Sequence, residues 1–364
     1  MTTKKLNFAL IGCGRIAPKH VDALTSGAVP GARLVAVCDT QFERAQAIAD
    51  KNPGVSAFSD RFEMLEKRGG EIDVVSILTP SGLHAQHTVD VAKYGKHVVV
   101  EKPMALTLSD ADRMISACDA AGIRLFVVKQ NRYNYPVKKL RQALEAGRFG
   151  KLVLGTVRVR WCRTQKYYDQ DKWRGTWAYD GGVFANQASH HVDLLQWMMG
   201  DVESVFAKTS TALVNIETED TGVVIVRFKN GSLGVIEATT ATRPKDLEGS
   251  ISILGEKGTV EIAGFAVNEM KTWNFSEPLP DDGEVLEKYR VNPPNVYGFG
   301  HTEYLNKVVE SIREGHSALV DGLEGRKSLE LISAIYESVE TGKEVFLRFV
   351  PKMCRLGQIR DAEV

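Results

Sequence analysis

Five short, continuous apolar runs, Phe8–Ile11, Leu34–Cys38, Val74–Leu78, His97–Val100 and Leu125–Val128, fill the first third of the chain, with amphipathic stretches such as Gln41–Asp50 and Ser109–Ala121 between them. Runs of this kind lack the alternation of a half-exposed strand and fit strands covered on both faces, which predicts a doubly wound parallel sheet. The pattern changes after about Asn134. A helix-like Val137–Ala146 leads into Val153–Cys162, and longer strands with turn signals such as Lys229-Asn230-Gly231 follow from Val202. Two helical stretches, Gly300–Arg313 and Gly322–Glu340, precede a last strand, Glu344–Phe349. This reads as an α+β region with a large, mostly antiparallel open sheet. Ser276–Pro294, rich in Pro, Asp and Glu, reads as a long irregular loop. At 364 residues the chain has room for two domains. The α/β reading divides it into 1–132, a doubly wound parallel-sheet domain, and 133–364, an α+β domain.

Lys+Arg and Asp+Glu balance at 46 each, which removes the excess of cations expected of a nucleic-acid or polybasic membrane binder. Cys13, Cys38, Cys118, Cys162 and Cys354 are scattered without a C-x-x-C pair, against a disulfide framework or zinc knuckle and for a reducing compartment. Met1–Lys5 followed by Leu6–Ile11 imitates a signal peptide, but Gly12 and Arg15 interrupt it and no small-residue cleavage site follows. No apolar run reaches the roughly 20 residues that cross a bilayer. A soluble, cytoplasmic protein without nucleic-acid or membrane partners is expected.

Gly12-Cys13-Gly14-Arg15-Ile16-Ala17 follows the first run directly and opens a helix. In such a turn the first Gly permits the bend, the second lets backbone N–H groups approach a pyrophosphate, and the small Ala allows close helix–strand packing. Asp39 ends the second strand, where a carboxylate accepts hydrogen bonds from an adenosine ribose and repels a 2′-phosphate, favouring NAD over NADP. Thr79-Pro80-Ser81-Gly82-Leu83-His84 and Glu101-Lys102-Pro103 lie at the carboxyl ends of the next two strands, the ligand edge of an open α/β sheet. In the helical stretch Phe184–Met199, Asn186, His190 and Asp193 share a face at i, i+4 and i+7, whereas His191 falls with Ala188 and Leu195. His190 is the polar-face histidine and His191 the packing one. Adjacent histidines beside Asp193 also suit a metal, but successive helical residues point about 100° apart and no further ligand cluster accompanies them. No metal is expected.

Taken together, Gly12-x-Gly14-x-x-Ala17, Thr79-Pro80 with His84, Glu101-Lys102-Pro103, and Asp180-Gly181-Gly182 followed by His190-x-x-Asp193 resemble the glucose-fructose oxidoreductase, inositol dehydrogenase and rhizopine-catabolism (Gfo/Idh/MocA) family over essentially the whole chain. The resemblance implies that 1–132 is a dinucleotide-binding Rossmann domain and 133–364 an α+β domain for substrate binding and oligomerisation, and that Lys102 and His190 flank the reacting carbinol at the nicotinamide, with Asn186 beside them. It places NAD contacts at Gly12, Cys13, Gly14, Arg15, Ile16, Asp39, Thr79, Pro80, Ser81, His84, Glu101, Lys102, Gln130, Trp173 and Arg174. Many polyol-oxidising relatives carry Asp four residues before the catalytic His. The neutral Asn186 would not raise the imidazole pKa as a carboxylate does, and it avoids repelling a substrate carboxylate.

Asn186, with Tyr167–Gln170, Trp173–Trp177, Asn295–His301 and Asp321–Arg326, resembles one branch of the family, the UDP-N-acetyl-2-amino-2-deoxy-D-glucuronate dehydrogenases. That branch oxidises C3 of the nucleotide sugar on the way to diacetamido uronic acids of bacterial surface polysaccharide. The resemblance therefore implies substrate contacts at Lys102, Arg163, Lys166, Tyr168, Asn186 and His190. Arg174 is a further cation for the anionic substrate, and Tyr167 and Trp177 are ring-stacking candidates. Arg158 and Arg160, on one face of their strand, read equally as substrate ligands or as a solvated or subunit-interface face. The alternatives are inositol or other polyol oxidation, NAD-dependent redox glycoside cleavage, and a dinucleotide-sensing regulator, which would need neither Lys102 nor His190. Relatives pack sheet on sheet, so a homotetramer, a dimer of dimers, is expected, with Val223–Arg227 and Val235–Thr239 as interface strands.

Overall fold

The computed structural model describes residues 4–290, 300–316, 320–347 and 354–358. The chain divides into two compact units, Met1–Lys129 with His301–Arg326 and Gln130–Gly300 with Lys327–Val364. The division read from the sequence, at 132 and 133, lies just past this one and leaves His301–Arg326 with the other unit. Pairing remote in sequence accounts for the difference. Val127 N–H donates to the Val320 carbonyl at 3.3 Å, Phe126 bridges Asp321, and Arg124 Nη1 donates to Ser311 Oγ at 2.7 Å.

The first unit holds strands β1 (Leu6–Ile11), β2 (Ala32–Cys38), β3 (Ser56–Phe58), β4 (Val74–Ile77), β5 (His97–Val100) and β6 (Leu125–Val127). They form one parallel sheet in the order β3-β2-β1-β4-β5-β6. The second sheet takes β7 (Leu152–Arg160), β8 (Val202–Ser210), β9 (Thr221–Phe228), β10 (Leu233–Thr239), β11 (Glu248–Gly255), β12 (Gly258–Ala263), β13 (Glu269–Phe275) and β14 (Val345–Phe346). Its order is β13-β12-β11-β7-β10-β9-β8-β14; β7 and β10 pair parallel and the other pairs are antiparallel. The helices are α1 (Ala17–Thr25), α2 (Phe42–Ala49), α3 (Arg61–Arg68), α4 (His84–Ala92), α5 (Leu108–Ala120), α6 (Tyr135–Glu145), α7 (Gln165–Tyr168), α8 (Ser189–Met199), α9 (Val285–Lys288), α10 (Gly300–Glu314) and α11 (Gly322–Thr341).

Strands β1, β4 and β5 are buried along almost their whole length, as their unbroken apolar runs require. In the second sheet burial alternates: Val224, Val226 and Phe228 of β9 are buried while Val223, Ile225 and Arg227 are exposed. Helix α8 covers the inner face. It reaches β7 at Gly155, where an added Cβ would lie 2.7 Å from Met199 Cγ and 2.8 Å from Leu195 Cδ1. Any larger residue there would lift the helix that carries His190.

Two local expectations need correction. Helix α8 begins at Ser189, not Phe184; before it the chain coils in turns, with Asn186 N–H donating to Gly182 O at 3.0 Å and Ala188 N–H to Val183 O at 2.7 Å. Asn186 therefore precedes the helix, and only His190 and Asp193 are related by helical spacing. Within Ser276–Pro294, Asp282–Glu284 and α9 make successive helical turns. Asp282 organises them: it accepts from Leu279 N–H at 2.8 Å and Trp273 Nε1 at 2.7 Å, beside the Arg148 guanidinium. Residues 291–294, the Asn295–Phe299 part of the branch motif and the end of the expected last strand lie outside the described residues.

Candidate active site

The order of the first sheet reverses between β1 and β4, and an open α/β sheet binds ligands at the carboxyl ends flanking such a switch. Gly12 sits there with φ +100°, and a Cβ on it would lie 2.8 Å from the Leu78 carbonyl. Gly14 differs: a Cβ on it would meet nothing within 4 Å, so it is not packing inside the protein that calls for glycine. The start of α1 has no side-chain cap and no acidic residue in its first turn, leaving its N–H groups to an anion. Asp39, half-buried, accepts Cys13 N–H at 2.7 Å on Oδ2 and Gln41 N–H at 2.8 Å on Oδ1. It thereby shapes the glycine loop and keeps lone pairs for ribose hydroxyls. These features fit a dinucleotide. Burial, aided by Asp39, pushes the Cys13 thiol up to about 12, and burial takes Cys38 and Cys118 to about 12 as well, so none is a thiolate nucleophile. Gly14→Ala is expected to weaken NADH binding roughly tenfold or more with little change in melting temperature. Fluorescence titration checks this, and an unchanged affinity would contradict the placement.

Beyond β4 and β5, one buried imidazole ties two loops together. His84 Nε2 lies 2.8 Å from the Thr79 carbonyl and Nδ1 2.8 Å from the Pro103 carbonyl; burial lowers its pKa against the pull of both oxygens. Thr79 Oγ1 meets His87 Nδ1 at 3.1 Å. Ser81 is buried, Thr79 and Pro80 half-buried, Ile16 half-buried and Arg15 exposed. Glu101 is buried; its Oε1 accepts from His20 Nε2 at 3.1 Å, with His301 Nε2 at 3.6 Å, and its Oε2 accepts the Lys102 backbone N–H at 3.1 Å. Burial opposes the charge on Glu101, but the two histidines outweigh it and hold the carboxyl well below the usual range. His20, Glu101 and His301 have the composition of a metal-ligand set, their donor atoms lying within 4.8 Å of one another. Both carboxylate oxygens, however, already accept hydrogen bonds. The half-buried Lys102 thus has its backbone pinned on one side by Glu101 and on the other through Pro103.

In the second unit, the turn Gln130–Tyr133 faces α8. Gln130, expected at the cofactor, has its Nε2 at 2.8 Å from His190 Nε2, both residues buried. Arg132 Nε and Nη2 each donate at 2.8 Å to the Asp193 carboxylate, and its guanidinium lies 4.8 Å over the Trp197 ring. Asp193 is therefore an anchor of the helix. His191 is fully buried, edge-on to Trp161 at 5.8 Å, and burial drives it down to about 3. Asn186 Nδ2 donates to Asp180, whose Oδ2 accepts Gly175 N–H at 2.8 Å. The Asn186 amide is thus oriented by the Asp180 carboxylate.

Under the Asp180-Gly181-Gly182 loop lies a group invisible to the sequence reading. Glu219 accepts Phe184 N–H at 3.1 Å and Tyr336 O–H at 2.9 Å, and burial, with Asp180 nearby, raises it to about 7. Because the folded chain holds this proton more tightly than the unfolded one, its contribution is fully favourable below pH 4.5. It is lost as pH rises through about 7. Relative to the parent, Glu219→Gln is expected to gain about 3 kcal/mol between pH 4.5 and pH 8. Parallel denaturant titrations at the two pH values test this, and a pH-independent difference would refute it.

The cations expected to gather around substrate mostly meet local carboxylates. Arg163 Nη1 pairs with Asp246 at 2.9 Å; Arg174 Nε pairs with Asp171 at 3.1 Å, its guanidinium between Trp173 and Tyr167 at 4.5 and 4.7 Å. Tyr168 is buried with its hydroxyl 3.2 Å from Thr240 Oγ1, and Lys166 is exposed. Arg160 grips Glu237 at 2.5 and 2.8 Å and Glu248 at 3.2 Å, with Arg158 3.7–3.9 Å from the same pair. These two sit on the outer face of the second sheet.

A parallel nucleotide-binding sheet followed by a unit that presents a buried, amide-bonded imidazole defines an NAD-dependent oxidoreductase. Residues 6–129 match the NAD-binding Rossmann fold of the Gfo/Idh/MocA oxidoreductase family and residues 141–347 match its C-terminal alpha/beta domain, so the chain belongs to that family. It is similar to the WlbA dehydrogenase from Bordetella pertussis, solved in complex with NADH and UDP-GlcNAcA. The two share 46% identity at a TM-score of 0.91, over 96% of this chain and 100% of that one. The WlbA dehydrogenase from Chromobacterium violaceum, with the same two ligands, is 44% identical at a TM-score of 0.89, over 96% and 98%. The myo-inositol 2-dehydrogenase of Thermotoga maritima is 30% identical over 352 residues, 95% of this chain and 99% of its own length. No helix among the described residues is long and apolar enough to cross a membrane.

Proposed function

We propose that the protein oxidises the 3-hydroxyl of UDP-N-acetylglucosaminuronate to the 3-keto nucleotide sugar, in the cytoplasm, for diacetamido uronic acids of surface polysaccharide such as O-antigen. The observation that carries this reading is the 46% identity, over nearly the whole chain, to a dehydrogenase solved with NADH and UDP-GlcNAcA. The neutral Asn186, held by Asp180, agrees with a substrate that brings its own carboxylate. NAD, when bound, supplies the hydride acceptor; Gly12–Ile16, Asp39, Thr79–Ser81, Trp173 and Arg174 would hold it. His190 takes the hydroxyl proton as hydride leaves. Lys102 stabilises the developing alkoxide with its ammonium charge. Asn186 orients the sugar or the ring, and Arg163, Lys166 and Tyr168 line the nucleotide-sugar site. The test is NADH absorbance with UDP-N-acetylglucosaminuronate, UDP-N-acetylglucosamine and myo-inositol. Oxidation of the uronate is expected; oxidation of inositol without the uronate would overturn the reading.

The same reading includes a homotetramer. Val223, Ile225 and Leu233 are 49%, 56% and 45% exposed on the outer sheet face, beside the Arg158 and Arg160 ion pairs, a combination suited to sheet-on-sheet packing. A monomer mass in light scattering would refute it.

A further inference from the structure

The turns that lead into α8 carry three successive backbone N–H groups to acceptors outside their own segment, and Glu219 and Tyr336 supply all three. Gly182 N–H donates to Tyr336 Oη at 3.1 Å, Val183 N–H to the Glu219 carbonyl at 3.1 Å and Phe184 N–H to Glu219 Oε1 at 3.1 Å. Tyr336 O–H in turn donates to the same Oε1 at 2.9 Å. Thr218 points its hydroxyl at the Gly175 and Gly181 carbonyls, 3.1 and 3.3 Å away. Gly182 has no room for a side chain, because a Cβ there would run into the Glu219 carboxyl group. Asn186 is built on this cradle: its N–H donates to the Gly182 carbonyl at 3.0 Å and its Nδ2 to Asp180. Stability alone does not call for a carboxyl group beneath the loop. Glu219 and Tyr336 are buried, and Glu219 Oε2 accepts no hydrogen bond among the described residues. A half-satisfied buried polar group is a net cost that an apolar side chain avoids, and such an exception asks for a reason.

We infer that Glu219, together with Tyr336, is a positioning residue for the reaction: it fixes the 180–186 loop, and through that loop the Asn186 amide, where the amide meets the sugar. The inference rests on the proposed contact between Asn186 and the nucleotide-sugar substrate. The chain of contacts is short. Gly182 is held at its N–H by Tyr336 and holds Asn186 at its carbonyl, while Phe184, two residues further on, is held by Glu219. What the carboxyl group supplies is one oxygen at which a loop N–H and the α11 hydroxyl meet, so the loop takes its place from two elements at once. An apolar residue in its stead fills the volume but leaves the Phe184 N–H and the Tyr336 O–H without an acceptor. A shift of about 1 Å in a positioning group costs up to roughly 100-fold in rate. Because Oε1 already meets two donors, the proton that burial favours on this group sits on Oε2, and Gln copies that neutral form with its carbonyl oxygen at the same two donors.

The test is steady-state oxidation of UDP-N-acetylglucosaminuronate by the full chain, with amide hydrogen exchange over 180–186 as a readout that does not depend on turnover. Glu219→Leu is expected to lower kcat/KM roughly 10- to 100-fold, carried mainly by KM, with NADH affinity unchanged and faster exchange in the loop. Glu219→Gln should recover most of the loss and the parental exchange. Tyr336→Phe, which removes the acceptor of Gly182 N–H and the donor to Oε1, should raise KM in the same direction, and it carries the test if Glu219→Leu does not fold. In an Asn186→Ala background either change should add little, since both act through the one amide. A purely structural Glu219 would lower the active fraction, and hence kcat, at a parental KM. That outcome, parental exchange in Glu219→Leu, or full additivity with Asn186→Ala overturns the inference. Failure of the reading beneath it shows elsewhere, as a parent that does not oxidise the uronate or a parental KM in Asn186→Ala, and the inference then falls for that separate reason.

Discussion

His190→Ala is expected to lower turnover roughly 10²- to 10⁴-fold, the range for loss of a general base, and to erase the acid limb of the pH profile while NADH still binds. The fold should tolerate the change, since Ala suits a helix interior and α8 is held by Arg132 and by its packing at Gly155. Lys102→Met is expected to cost roughly 10²- to 10³-fold, the scale of losing one preorganised charge stabiliser, without loss of the acid limb, because the base remains. The loop should keep its shape in that variant: what pins it is the Lys102 backbone N–H on Glu101 and the Pro103 carbonyl on His84, neither of which involves the ammonium. Single-turnover NADH formation with the uronate separates the two effects. Near-parental rates in either variant would remove that residue from the chemistry.

The turns at the carboxyl edge of the first sheet were legible in the sequence because their constraints are local. Gly12 needs a positive φ and a close approach to Leu78, Gly14 needs open space, and Asp39 needs only to end a strand that an apolar run announces. The antiparallel sheet was legible for a similar reason, through alternation and the turn at Lys229–Gly231. What escaped was whatever depends on a partner far along the chain. β3 is three residues without an apolar run. His20 and Glu101 are 81 positions apart, and Glu219 and Tyr336 are 117 apart. The Arg163 to Arg174 cluster suggested free cations because Asp246, the partner of Arg163, comes 83 residues after it. Arg174 likewise pairs with Asp171, a contact three residues away that apolar and polar patterning does not announce. The start of α8 was misplaced for a different reason. Apolar spacing continues through 183–188, but the backbone there closes wider turns beneath Asp180-Gly181-Gly182.

Arg132→Met is expected to destabilise the protein by about 3–5 kcal/mol, the cost of stranding one member of a buried ion pair. Arg132 and Asp193 side chains are 3% and 2% exposed, so water cannot take over the hydrogen bonds that the guanidinium gives. At roughly 2–4 °C per kcal/mol for a protein of this size, the melting point should fall by about 6 °C or more. The double variant Arg132→Met/Asp193→Leu should recover most of that, because an apolar pair leaves no buried charge. Recovery of melting would not by itself restore turnover. Gln130 and His190 hang on the same turn and helix, and losing the bidentate clamp removes one of the contacts that hold their register. A double variant that melts like the parent but turns over more slowly would assign the ion pair a share in placing the base. A single variant melting within about 2 °C of the parent would mean that Asp193 finds another partner.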